Sequence, residues 1–190
     1  MARLKSGDKR NLILSAAIGV FAERGLGAPA LAIAVEAGVA EGTLFTYFKT
    51  KDELVNALYC EIKLEMANAM MSGFPRRSSV RHRLQHVWER YVDWGVANQP
   101  SFIVRKQIEL WSGLTVESRA AGAAPFVEIQ TMVKEAIAQR IIRDLPQPFI
   151  GAIFNDLAET TMRFMQNDWE SAGLYKTAGF EMAWAGIIRK

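Results

Sequence analysis

Cysteine is almost absent: a single residue, Cys60, stands in a chain of 190. A lone thiol forms no disulfide within its own chain, so a reducing compartment is the simple reading. Its flanks, ALYCEI, read as helix interior. That points to a buried, unreactive thiol, with Lys63 the one nearby group that could lower its pKa. Histidine is nearly as scarce, with only His82 and His86, four residues apart beside Arg81 and Arg83. No Glu follows His82 as an HExxH arrangement requires, so a solvated pair is expected, and no metal or other cofactor. Long apolar runs are missing too, and none approaches the roughly 20 residues of a membrane span. The stretch MARLKSGDKR leads into an amphipathic segment and not a signal-peptide core. The expectation is a cytoplasmic protein with no membrane partner.

The marks of an enzyme are likewise lacking. There is no nucleophile with a base, no phosphate-cradling glycine loop and no carboxylate pair in a motif. Glu89 and Asp93 lie one helical turn apart beside Trp88, Tyr91 and Trp94. They read as surface charge on an amphipathic helix, although an aromatic box with carboxylates would also suit a cation. A non-enzyme is expected.

What the chain does have is positive charge in one place. Met1 to Lys51 carries seven basic residues (Arg3, Lys5, Lys9, Arg10, Arg24, Lys49, Lys51) against four acids (Asp8, Glu23, Glu36, Glu41). The remainder carries sixteen of each, so the whole net charge of +3 sits in the first quarter. This is the pattern of a polyanion-binding head on a neutral body. The basic cluster Arg76, Arg77, Arg81, Arg83 falls far along the chain from that head and reads as a solvated loop and helix start.

Helical periodicity runs almost throughout, and no strand alternation competes with it. In NLILSAAIGVFAERG, Ile13, Ala16, Ala17, Val20 and Phe21 fall at helical spacing, and Gly25 makes a stop. APALAIAVEAG fits a shorter helix, with Pro29 at the first helical position and Gly38 closing it. A tight turn through Ala37, Gly38 and Val39 leads to another short helix within AEGTLFTYFKTKDEL. Two short helices about a tight turn give a helix-turn-helix pattern, whose second member enters the major groove of DNA. A capping box, Thr50 with Glu53, then opens a long helix carrying Leu54, Leu58, Ile62, Met66, Ala69 and Met70 on one face and ending near Gly73 and Pro75. At 1.5 Å per residue it is on the order of 30 Å long. Four or five further helices follow, punctuated by FPRRSS, NQPS, AAGAAP and DLPQP.

The segments ILSAAIGVFAERG and IAVEAGVAEGTLFTYFKTKDEL resemble the N-terminal domain of the tetracycline-repressor (TetR) family of bacterial transcription regulators, over about the first 55 residues. The resemblance joins a first-helix signature, an Ala-Gly-Val turn, a Gly-Thr-Leu-aromatic-x-Tyr-Phe helix and a Lys-Asp-Glu-Leu start in one order. It implies an all-α fold: an N-terminal three-helix DNA-binding domain with the helix-turn-helix, residues 1–50, and a larger helical-bundle domain, residues 51–190, for ligand binding and dimerisation. It also implies a ligand-responsive homodimer, usually a repressor. Departures from the family pattern are Ala28 and Pro29 in place of a helix-starting hydroxyl, a short loop after Gly25, Ala40-Glu41 in place of Ser-Lys, and Phe45 in place of Tyr. They keep open the alternative of a helical small-molecule-binding protein with weak or lost DNA binding.

Counting round the helix from Gly42, Leu44 and Phe48 share a packing side while Thr43, Thr46 and Tyr47 share another. Hydroxyls and a thymine-seeking methyl suit base edges and phosphates. Gly42 lets backbone approach a duplex closely. Lys51 is poorly placed for the helix dipole and suits phosphate better. Gly42, Thr43, Thr46, Tyr47, Lys49 and Lys51 are therefore the expected contacts to double-stranded DNA, on a pseudo-palindromic operator if the protein is a two-fold dimer.

The dimer is expected through the last two helices. PFIGAIFNDLAETTMRFMQNDW is apolar on more than one face, and GLYKTAGFEMAWAGII sets Leu174, Met182 and Ile188 apart from Trp184 and Ile187. Gly179, Ala183 and Gly186 would allow close approach of a second copy. For a small apolar or aromatic effector, Trp88, Tyr91, Trp111 and Phe126 are the candidate lining, since they fall on the middle helices. Arg105 and Lys106 would favour an anionic effector.

Overall fold

A computed structural model describes residues 6–189; Arg3 and Lys5, two of the basic residues in the head, lie outside the described residues. Helix α1 spans Ser6–Arg24, α2 Ala30–Glu36, α3 Glu41–Tyr47, α4 Lys51–Met71, α5 Val80–Ala97 and α6 Gln99–Leu110. Helix α7 spans Val116–Ala123, α8 Val127–Ala138, α9 Gln147–Asn167 and α10 Ala172–Ile187, with a 3-10 turn at Ala124–Phe126. Among the described residues the only extended pairing is an isolated bridge between Ile142 and Ile188. The fold is all-α, and no single described helix is long and apolar enough to cross a membrane.

Local chemistry explains where the first helices stop and start. After α2, Gly38 adopts φ +65°, a left-handed conformation that costs glycine nothing. It lets the Val39 amide reach the Ala34 carbonyl at 2.9 Å and the Gly38 amide the Val35 carbonyl at 3.1 Å. These are the two bonds of a Schellman stop. At the head of α4, the Glu53 amide donates to Thr50 Oγ1 (3.0 Å), and the Glu53 carboxylate accepts from the Lys49 amide (2.9 Å). The capping box forms with its return bond one residue earlier than the usual pattern. Pro29 is the cap of α2 and not its first residue.

Among the described residues six α-helices follow α4, where the sequence pattern predicts four or five. The extra break is Trp111–Thr115, which lacks proline. There the Trp111 indole folds back over Gly113, where a Cβ would meet it at 2.2 Å. At NQPS the chain breaks only at Asn98, and Pro100 sits in the first turn of α6, where a missing N–H costs no bond.

The described residues form two compact units, 6–64 with 99–123, and 65–98 with 124–189. In the first, α1 packs on α2 and α6, and α2 on α3. Ile13, Phe21, Ile33, Leu44, Leu54, Leu58, Ile62 and Ile108 are fully buried there. Each such aliphatic or aromatic side chain contributes roughly 1.5–3 kcal/mol through burial. In the second unit α9 packs on α10 and both pack on α5. Its core includes Val87, Trp88, Ala136, Ile142, Ala158, Met162 and Phe180.

Candidate nucleic-acid interface

Helix α3 has two distinct sides. Leu44 (0% exposed) and Phe48 (2%) lock it into the first unit. Gly42 and Thr46 are exposed, Thr43 and Tyr47 half-buried, and Phe45 is 39% exposed. Nothing lies within 4 Å of the place a Gly42 side chain would occupy, so the backbone there is open to a partner. Thr46 donates its hydroxyl to the Gly42 carbonyl at 2.9 Å. Its remaining capacity outward is therefore an acceptor lone pair and a methyl group.

The two lysines differ. Lys49 is exposed just after α3. Lys51 is half-buried and holds its ammonium 5.9 Å from the Phe21 ring centroid. That contact orients the Lys51 stem within the unit while leaving the cation near its surface. Arg10 braces the same region: its guanidinium lies 5.5 Å from the Phe48 ring centroid and 3.8 Å from Glu61.

Other contacts in this unit escape a reading by periodicity. Asn56, buried among apolar neighbours on α4, donates to the Asp52 and Gly113 carbonyls at 2.9 and 3.0 Å and accepts from the Thr115 amide at 3.0 Å. A polar residue within an apolar stripe is the sequence signal for such a pin. Glu109 gathers two cations, Arg105 at 2.7 Å and Lys63 at 4.0 Å. Burial depresses Lys63 to about 8, against the attraction of Glu109 and aided by Arg105. Burial, with Glu109 next, raises Tyr59. Burial also raises the Cys60 thiol, outweighing its contact with Ser118, which fits an unreactive cysteine.

The four aromatic effector candidates are spread over the chain. Trp88 and Tyr91 share α5 in the second unit, both buried. Trp88 packs edge-on to Phe154 at 5.1 Å and donates Nε1 to the Lys176 carbonyl at 2.9 Å. Tyr91 donates its hydroxyl to Asn155 Oδ1 at 2.5 Å. Phe126, half-buried, ends the 3-10 turn of that unit, while Trp111 belongs to the first unit.

Arg76 forms a two-pronged pair with Glu128, at 2.7 and 2.9 Å, and Arg81 pairs with Glu181 while lying over Phe180 and Trp184, so these two members of the basic cluster are ties and not merely solvated charge. His82 is exposed, but His86 is half-buried edge-on to Phe74 at 5.9 Å. Among the described residues no group of His, Cys, Asp and Glu could hold a metal. Asp93 pairs with Lys176 at 2.7 Å and Glu89 accepts from Gln85 at 2.9 Å. Gly179 faces its own unit, where a Cβ would meet Thr161 Oγ1 at 2.3 Å and Trp88 Cζ2 at 2.7 Å, so its smallness serves internal packing. Ala183 is buried as well, whereas Gly186 is exposed. Ile188 caps α10 and bridges to Ile142 instead of joining Leu174 and Met182.

Residues 13–58, which contain all of α2 and α3, match the family model described as bacterial regulatory proteins, tetR family. That segment is similar to the tetR family over about a quarter of the chain. A curated relative, the fatty acid metabolism regulator protein of Bacillus subtilis, is 28% identical over 99 residues, covering 52% of this chain and 50% of that protein. The chain thus matches about half the length of that relative. A tetR family transcription regulator from Marinobacter aquaeolei shares the fold with a TM-score of 0.88 at 21% identity, covering 97% of each chain. One from a Shewanella species gives 0.87 at 22% identity, covering 96% of this chain and 99% of that one. The helix-turn-helix formed by α2, the Gly38 turn and α3 lies wholly within the matched segment.

Proposed function

We propose that this protein is a ligand-responsive homodimeric repressor that binds a pseudo-palindromic operator in the cytoplasm. Residues 1–50 read DNA and residues 51–190 bind effector and dimerise. The observation that carries this reading is the split of α3 into a buried side, Leu44 and Phe48, and an outward side, Gly42, Thr43, Thr46 and Tyr47, with Lys49 and Lys51 beyond it. Hydroxyls, a methyl and an open backbone face base edges, and the lysines take phosphates.

Dimerisation is supported by large apolar side chains left exposed on the last two helices. These are Phe149, Ile153 and Phe164 on α9, and Leu174 (68%) and Met182 (65%) on α10. Side chains of this size exposed at helical spacing mark an association surface. An apolar effector fits the name of the B. subtilis relative, a fatty acid metabolism regulator. Trp88, Tyr91 and Phe126, all in the second unit, are the aromatic residues proposed to meet it.

Gel-shift titration with the DNA flanking the protein's own gene tests this reading. The expected result is a complex roughly a thousandfold tighter than with an unrelated duplex. The competing reading, a helical small-molecule binder with weak DNA affinity, is favoured by the methyl of Ala40, the carboxylate of Glu41 and the ring of Phe45 on exposed positions. It predicts equal, weak binding to both duplexes.

A further inference from the structure

Glu41 and Phe45 are one helical turn apart on α3, so their side chains share a face. Both are exposed, and among the described residues no hydrogen bond or ion pair engages the Glu41 carboxylate. A free carboxylate and an open phenyl ring are poor partners for a phosphate backbone. The carboxylate repels it, and the ring has no donor for it. In the major groove the same two groups have specific partners. A carboxylate accepts from the cytosine N4 amino group, whereas the adenine amino group is flanked by the N7 acceptor, which opposes a second acceptor. A phenyl ring meets the thymine methyl.

We propose that Glu41 and Phe45 are specificity-determining residues, Glu41 selecting a cytosine and Phe45 a thymine in each operator half-site. The inference rests on α3 being the helix that reads DNA. The four residues from Glu41 to Phe45 advance about 6 Å along the helix, and one base pair advances about 3.4 Å. The two bases therefore lie one or two base pairs apart. Glu41 works mainly by exclusion: it forgoes affinity for every duplex and recovers it only where an amino group meets it.

Selection from a random duplex library, followed by affinity measurement on the enriched and on unrelated duplexes, tests this with the full chain and its Glu41→Gln, Glu41→Ala and Phe45→Ala variants. Exposure of both side chains makes all three compatible with the fold. The parent is expected to enrich C·G and T·A at the two positions. Glu41→Gln moves the first preference to A·T, because a carboxamide pairs with adenine N6 and N7. Glu41→Ala loses roughly tenfold discrimination at that position and tightens binding to unrelated duplexes several-fold. A merely structural role at the start of α3 would not produce that split. Phe45→Ala relaxes the thymine alone. A parent that enriches a palindrome which Glu41→Ala enriches unchanged, with unchanged affinity for unrelated DNA, overturns the inference while leaving the DNA-binding reading standing. A parent that enriches nothing overturns both.

Discussion

The outward side of α3 and the outward sides of α9 and α10 are both solvent-facing, yet they are built from different chemistry. On α3 the exposed positions are Glu41, Gly42, Phe45 and Thr46, small or single functional groups spaced along seven residues. On α9 and α10 they are Phe149, Ile153, Phe164, Leu174 and Met182, large side chains with nothing to donate or accept. The first surface can bind only by matching donors, acceptors and methyls, which suits base edges. The second gains only by losing water, which suits a second copy of itself. The two units also handle charge differently. The first holds a half-buried Lys63 and a buried Arg105 around Glu109, while the second keeps Arg81 and Lys176 in more open pairs with Glu181 and Asp93.

The hardest way to break the comparison is from beneath. Leu44→Ala removes a fully buried side chain under α3 and should cost about 2–5 kcal/mol, read as a lower denaturant midpoint. Thr46→Ala, on the exposed side, should leave stability within about 0.5 kcal/mol and alter only base preference. Next, Leu174→Glu with Met182→Glu should convert the dimer to monomer in sedimentation and lower operator affinity about a hundredfold, since each half-site then binds alone. The fold should persist, as both side chains point to solvent.

Charge gives the third contrast. Lys63 sits near 8 in the folded protein against an ordinary value of 10.5. The unfolded chain therefore binds more protons between these values, and stability should rise as pH goes from about 8 toward 10. Above 10 the raised Tyr59 acts in the opposite sense, because the unfolded chain loses that proton first. Lys63→Met should remove the rise and add on the order of 2 kcal/mol below pH 8, measured by denaturant titration across pH. Lys176→Met, which removes a half-open surface pair, should change stability by under about 1 kcal/mol. The smallest effect is Lys49→Ala. It should weaken all duplexes a few-fold and reduce the salt slope of binding by about one phosphate contact, without changing the preferred sequence.

Much of this was legible where the physics is local. Thr50 with Glu53 announced the start of α4, and Gly38 the turn before α3, because caps and left-handed turns depend on residues within one helical turn. The division of α3 into Leu44 and Phe48 against Thr43 and Thr46 follows from helical spacing alone. The turn at Trp111–Thr115 is hidden because the segment has no proline and the indole lying over Gly113 is a contact that periodicity does not show. Gly179 read as a place for a partner helix because sequence cannot show that Thr161 and Trp88 already fill the space beside it. The meeting of Lys63, Arg105 and Glu109 was hidden for the same reason: residues on different helices share no periodicity. Arg76 and Arg81 look like solvated charge in the sequence because their carboxylate partners, Glu128 and Glu181, lie far along the chain.

The central claim is that α3's outward face reads DNA while α9 and α10 join two chains to do it. Sedimentation velocity of the intact protein with a labelled duplex carrying the DNA flanking its gene, followed across salt, tests both parts at once. The account predicts a complex whose mass is one duplex plus two chains or a multiple of two, dissociating steeply as salt rises. A duplex that sediments unchanged at micromolar protein, or a complex holding a single chain with full affinity, would contradict it.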